Sequence, residues 1–518
     1  MNMTIGYGMV VVFFLAIVVV MERSYKRDTT FTDYAVANRS FGSWFQSMSF
    51  LNSWLPGTVF IAFAGLAAGS GVIGFYVLPY SLLAVMFMFM MADRVWEWGR
   101  VFNLRTQADF VGMRYNSMPV RVIAAIIGIV SVIPWLILGF QSLGLVFSYL
   151  SFGVVGPAAA VFVGIAVLAV RQIWTVRMGM RGIIISDMLQ GIVAYIGGFI
   201  LALGFIVWLL SSGHGFQSQA DAFWTLPGFG SDVGFLYYFS LLLTGALGAW
   251  CWPDIFVRLF TAKSSKTVKL SAFKAAPVLF LFISALMVMS ILAHSLPDVA
   301  KTPDDVWFLT LADGGPWLLA AGGIAVLAAT MGNVNAITAS VGMQASQDVI
   351  HVKGSTDARI TRTAKYAIAG AVVVSVIGAI MTVNTASGLY LLAVASYQGI
   401  VQLAPSLFLG LLWRRGTALG AAAGMIVGFI IAATLTFFYP VSIPALGGLT
   451  SGIVGMAVNA LLYVALAYLV PISVDEKERI RRLFDHLSSF HNAIGDVSGG
   501  SSDSNPAAQE TPATRRYK

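Results

Sequence analysis

This sequence has little charge and almost no cysteine. Of its 518 residues, 10% are Asp, Glu, Lys or Arg and 58% are hydrophobic. Soluble domains carry about 25% charged residues, so a water-exposed globular fold is excluded. The single cysteine, Cys251, permits no internal disulfide. No G-x-x-x-x-G-K-[ST] loop is present to cradle a nucleotide, which excludes an ATP-driven pump of that type. Neither an enzymatic constellation nor a cofactor motif stands out, so the chain is not expected to be an enzyme. Short segments alternating at period two, the mark of a membrane barrel, are missing as well. The net charge of +8 would suggest a nucleic-acid partner only if the basic residues clustered, and they are scattered through short loops instead.

What the sequence does contain is apolar runs, such as Val10–Met21 and Phe75–Ala92, and a mean hydropathy of +0.82. About 20 apolar residues cross the hydrocarbon core as a helix. Hydropathy and loop breakers together predict an all-α polytopic membrane protein with thirteen transmembrane helices. They lie near 3–21, 43–71, 73–92, 119–149, 153–172, 180–211, 234–260, 270–294, 317–350, 366–384, 388–413, 417–438 and 446–471. Met1–Met21 has no basic residue ahead of its apolar run and no small-x-small cleavage site, so it is expected to be a retained first span rather than a signal peptide.

Charge asymmetry gives the orientation. With the N-terminus outside and the C-terminus cytoplasmic, all but Lys301 of the 31 Lys and Arg fall on the inner side. The outer loops are acidic: Asp221 and Asp232 in 212–233, and Asp298, Asp304, Asp305 and Asp313 in 295–316. The second of these is long enough for a short lid helix around Asp304–Ala312. Near the C-terminus, Ile480, Leu483, Phe484 and Leu487 recur at helical spacing, which predicts an amphipathic segment against the lipid of the inner leaflet. From about Ser498 onward the Ser, Gly, Asp and Pro content predicts disorder.

Two spans carry helix breakers at matching places. In span two, Asn52-Ser53-Trp54-Leu55-Pro56-Gly57-Thr58 puts a proline where a backbone donor is needed. In span seven, Thr244-Gly245-Ala246-Leu247-Gly248-Ala249-Trp250 is followed by Pro253. Broken membrane helices are tolerated only where they face protein or a watery cavity. Two such breaks five spans apart predict a five-plus-five inverted repeat with its site at the crossing. The domains are then 1–42 (first span and inner loop), 43–212 and 234–414 (the repeats), 415–474 (two accessory spans) and 475–518 (amphipathic segment and tail).

Polar residues inside the spans mark candidate sites. Span nine contains LAATMGNVNAIT at Leu327–Thr338, with Thr330, Gly332, Asn333 and Asn335 in its middle. Asp187 near the inner end of span six is an intramembrane carboxylate, costly and therefore functional by default, unless it pairs with Arg181 at the interface. Asp254 lies four residues before Arg258, a spacing that favours an ion pair on a continuous helix. For the solute, Ser53, Trp54, Gln141, Trp250, Asn335, Tyr397 and Gln398 are the candidates. No Arg or Lys is expected deep in a span, so a carboxylate would rely on helix-end dipoles and neutral donors.

Four stretches carry a likeness to a known family: Ser47–Gly71 with FAGLAAGSG, Gly182–Gly191 with Ser186-Asp187-Met188-Leu189-Gln190, Trp252-Pro253 through Arg258 to Lys263, and Leu327–Asp348. Together they resemble the sodium/solute symporters, which include bacterial proline, sialic acid and sugar transporters, over roughly residues 1–475. The resemblance implies a sodium site between spans two and nine, built from the carbonyls of Asn52, Leu55 and Ala329 and from the side chains at Gly332 and Asn333. It also implies an ion-pathway role for Asp187. At 332 and 333 the family's hydroxyl pair is replaced by Gly-Asn, so this sodium site is altered. The reading is a symporter importing a small organic solute, an amino acid or a monocarboxylate, through a cell inner membrane by alternating access. Sodium is the coupling ion the resemblance implies. A proton-coupled symporter, a uniporter and a transporter-like sensor are the alternatives.

Overall fold

The structure is a computed structural model and describes residues 2–25, 37–350, 357–382 and 388–497. The tail from Ser498 onward, expected to be disordered, lies outside the described residues. Every named element among them is helical. Ten helices are long and apolar enough to cross a membrane, or up to eleven if one bent pair is a single span. Helix occupies each of the thirteen expected stretches, but not all of them pass as separate spans by length and composition. The first half of span two has only 12 residues, and the apolar part of span five, Pro157–Arg171, is also short.

The chain begins with α1 (Asn2–Arg23), and span two follows as two pieces, α2 (Ser43–Trp54) and α3 (Ala62–Ser70). Leu55 and Pro56 leave helical geometry, and a tight turn over Gly57–Phe60 joins the halves. The proline explains the break, since it has no N–H to give to the carbonyl four residues back. Gly57 explains the close approach behind it. A Cβ there would sit 1.8 Å from Thr330 Oγ1 and 2.8 Å from the Val326 carbonyl oxygen.

Next come α4 (Val77–Val101), α5 (Met118–Leu150) and α6 (Pro157–Gly191). Ser117 caps α5 by accepting from the Val120 N–H, a usual way to satisfy an orphan donor. Helix α6 has two arms: Gly179 at φ 55° turns the chain between them, a conformation that glycine adopts without strain. A π-helical turn leads into α7 (Gly198–Ser211).

Span seven is interrupted like span two. Helix α8 (Tyr237–Gly248) gives way to a 3-10 turn, an extended Trp252, α9 (Pro253–Phe256) and α10 (Arg258–Thr261). The two arms meet at 55°. Then follow α11 (Ser265–Ala293), the short outer-loop helix α12 (Val306–Asp313), α13 (Pro316–Gln344), α14 (Asp357–Thr382), α15 (Gly388–Ile400), α16 (Ala418–Phe438) and α17 (Ser451–Leu469).

Helix α13, the bulk of span nine, is the central post. It packs against α1, α2, α5, α6, α9 and the turn inside span two, and 83% of its most apolar window is buried. The final helix, α18 (Val474–Val497), belongs to a separate compact unit. Ile480, Leu483 and Phe484 share one of its faces, as their spacing predicts.

Candidate functional site

The two interrupted spans and α13 enclose a small cavity, a space of about 280 Å³ counting its open mouth. Span two contributes Ser53, Trp54 and Pro56, and span seven contributes Trp252, Asp254 and Ile255. Span nine adds Asn333 and Ile337, span four Trp135, and span eleven Tyr397. Aromatic rings make most of the wall. Trp135 meets both Trp252 and Tyr397 edge to face, at ring-centre distances of 6.0 Å and 5.9 Å. The Tyr397 ring meets Tyr80 and Trp252 edge to face, and Trp54 donates its indole N–H to Ser81 Oγ at 2.9 Å. The buried indole N–H of Trp135 has no partner. It is a donor available to a solute.

Of the seven solute candidates, Ser53, Trp54 and Tyr397 line this cavity. The other four side chains bond elsewhere. Gln141 donates to Thr382, Trp250 to the Ala84 carbonyl, and Asn335 to the Met331 carbonyl one turn back in its own helix. Gln398 accepts from the Gly452 N–H and ties α15 to α17. Trp135 and Trp252 were missed. Pro134, inside α5, was the available signal for Trp135, because a proline loosens the turn on which its neighbour sits.

Behind the cavity, spans two, six and nine converge on a buried charged cluster. Asp187 is fully buried. It accepts from Ser49 Oγ at 2.7 Å and from Asn52 Nδ2 at 3.0 Å, and it faces the Arg258 guanidinium at 3.4 Å. Arg258 also donates to Ser53 Oγ at 2.9 Å. The expected pairing of Asp187 with Arg181 is therefore not made, and neither is that of Arg258 with Asp254. Arg258 turns to Asp187 and Ser53 instead, although Val257 between α9 and α10 keeps helical backbone angles.

A second buried cation stands in the same cluster. Arg171 donates to the Met331 carbonyl at 3.2 Å, to Gln190 Oε1 at 3.3 Å and to Ser186 Oγ. Both guanidiniums are almost wholly withdrawn from solvent, which corrects the expectation that no Arg lies deep in a span. Arg171 was placed in an inner loop. Both arms of α6 instead pack around its side chain, which reaches the middle of α13.

The five residues of the expected sodium site lie at this crossing, and the Leu55 carbonyl and the side chains of Asn52 and Asn333 are engaged by protein partners. The Leu55 carbonyl accepts from the Tyr195 hydroxyl at 2.8 Å, and Asn52 Oδ1 accepts from the same hydroxyl at 3.1 Å. Asn333 turns its Nδ2 to the Ser53 carbonyl at 3.0 Å. Gly332 faces the Asn52 amide so closely that a Cβ would stand 1.7 Å from its nitrogen. Ala329 is fully buried in α13, and Thr330 spends its hydroxyl on the Val326 carbonyl. Among the described residues no group of three or more His, Cys, Asp or Glu could hold a metal ion.

Comparison with known proteins agrees with this architecture. The model of the sodium:solute symporter family matches residues 34–428. The chain is 26% identical over 489 residues to the "Monocarboxylate transport permease protein" of Rhizobium johnstonii, covering 89% of this chain and 96% of that one. It is 24% identical over 474 residues to the "Monocarboxylic acid transporter" of Corynebacterium glutamicum, covering 85% and 84%. Among solved structures it is similar to a Na+-coupled sialic acid symporter in a substrate-bound outward-open state. There the TM-score is 0.75 at 16% identity, over 90% of this chain and 98% of that chain, a likeness of fold.

Proposed function

The chain belongs to the sodium:solute symporter family, and from that premise we propose that it imports a small organic monocarboxylate across a bacterial inner membrane, driven by a co-transported cation. The observation that carries this reading is the cavity held between two interrupted helices and α13. Binding sites at broken helices in an inverted repeat (here 43–212 and 234–414) are the arrangement by which alternating access exposes one site to each side in turn. The small space favours a solute of few atoms over a sugar. The Trp135 N–H and the Ser53 hydroxyl offer a carboxylate neutral donors. Two relatives named for monocarboxylates support that class over an amino acid. The N-terminus lies outside and the C-terminus in the cytoplasm, as the distribution of Lys and Arg requires.

Sodium is the family's coupling ion, and Asn52, Leu55, Ala329, Gly332 and Asn333 are where it would bind. One observation favours a proton instead. At that crossing the Leu55 and Ser53 carbonyls already accept protein donors, Asn333 presents its nitrogen to a carbonyl, and two guanidiniums sit nearby. A hard cation needs several free oxygens, and the fixed positive charges oppose it. Purified protein in proteoliposomes, given labelled pyruvate with an inward sodium gradient and then an inward proton gradient, tests both points. Accumulation above equilibrium under either gradient supports symport. Uptake that stops at equilibrium under both removes it.

A further inference from the structure

Asp254 is a carboxylate at the wall of the solute cavity that makes no ion pair among the described residues, Arg258 acting on it only from beyond bonding distance. It is 2% exposed and lines the space beside Ser53, Asn333 and Tyr397. Arg258 turns away to Asp187 and Ser53. Asp254 stands at the first turn of α9. The elements packed on α9 bring few other charges. Helices α2 and α13 contain no titratable side chain at all, α10 brings Arg258, and α15 brings Tyr397. The helix at Gln107–Tyr115 brings Asp109, Arg114 and Tyr115, which are bound to Arg121, to the Gly410 and Trp413 carbonyls, and to Tyr463 respectively. No Lys or Arg lines the cavity.

A carboxylate solute entering this space would meet a second carboxylate a few ångströms away, between walls made mostly of aromatic rings. Two such groups cannot both remain charged at that separation, and they share a proton. A single proton converts the repulsion into a charge-assisted hydrogen bond, with the Asp254 O–H donating to the solute oxygen. Trp135 and Ser53 are placed to hold the solute's remaining lone pairs. Ser53 is suited to this because its oxygen accepts from Arg258, which leaves its own hydrogen free to donate into the cavity.

Resting on the reading of the chain as a monocarboxylate symporter, we propose that Asp254 carries the coupling proton and shares it with the carboxylate of the transported solute. The proton reaches Asp254 from outside, the solute binds as the anion, and both leave to the cytoplasm when the cavity opens inward. No covalent bond is made or broken. One proton and one anion cross together, so the cycle moves no net charge and the membrane potential does no work on it.

The test uses the full-length protein in proteoliposomes loaded with a pH indicator, with pyruvate as the probe. Wild type should acidify the lumen by about one proton per pyruvate taken up, and an imposed potential should not alter the accumulation reached. Asp254→Asn should lose that acidification, while Asp254→Glu should keep it. Thermal unfolding of each variant in detergent, run in parallel, shows whether it is folded. Acidification by Asp254→Asn at the wild-type ratio overturns the proposal. So does wild-type accumulation driven by sodium with no proton movement, or by the membrane potential; either result leaves symport standing. Preferential transport of alanine over pyruvate without a proton overturns it too, since an ammonium would then be the partner of Asp254. The wild-type ratio is decisive even if no variant folds: a value near zero refutes the coupling. Absence of uphill transport under every gradient removes the symport reading itself.

Discussion

Asp187 and Arg258 show what a single buried charge asks of its neighbours. The carboxylate has three partners, Ser49, Asn52 and Arg258, from two different spans. Removing one member of a buried pair costs about 3–5 kcal/mol, because the other charge is left uncompensated. Arg258→Met should therefore lower the thermal midpoint of the detergent-purified protein sharply, whereas Arg258→Lys should recover part of the loss. Equal midpoints for wild type and Arg258→Met would show that the pair is not formed. At Gly332 the constraint is steric. A methyl group would overlap the Asn52 amide, so Gly332→Ala must push Asn52 off Asp187. Overpacking of this kind costs about 1–3 kcal/mol. It should also cut pyruvate uptake by a large factor, which initial-rate measurement on the variant would reveal.

At the scale of elements, the outer loop behaves as a cover on span two. Pro303 and Asp304 lie on α3, where a Cβ at Gly65 would meet Asp304 Oδ1 at 2.3 Å. Asp305 is hydrogen-bonded to Tyr149, and α12 stacks Phe308 on Tyr149 at 4.6 Å. Burial, reinforced by the charge of Asp305, pushes the Asp304 carboxyl up from 3.8 to about 6. With the docked value above the free one, docking is strongest below pH 3.8 and weakens as pH rises through about 6. Hydrogen exchange of the α12 amides, corrected for intrinsic rates, should show protection falling across that window in wild type and falling less in Asp304→Asn, where the buried Asp305 still titrates upward of its free value. Protection that rises with pH would contradict this. The elements themselves were legible beforehand, because apolar runs and Pro56 act locally: a proline removes its own donor wherever it sits. The lid helix was legible from loop length. The direction of a long side chain was not. Arg171 and Arg258 flank apolar runs like any loop residue, and only their buried partners, Ser186 and Gln190 for one and Asp187 and Ser53 for the other, turn them inward. Trp135 was hidden for a related reason, since in a chain this rich in aromatics a tryptophan beside a proline reads as packing.

At the scale of the whole molecule, the account rests on a solute occupying the space between the interrupted helices while the rest of the chain moves around it. The lone cysteine makes this accessible to experiment. Cys251 is buried, and its thiol turns to the Leu247 carbonyl, so Cys251→Ser yields a background without thiols. Into it, Ile337→Cys places one reporter at the cavity wall. The most direct measurement is the rate at which a small membrane-impermeant thiol reagent modifies position 337, with and without pyruvate at a concentration that saturates uptake. The account predicts that pyruvate slows the modification strongly. An unchanged rate in protein that still transports pyruvate would place the solute elsewhere and contradict it.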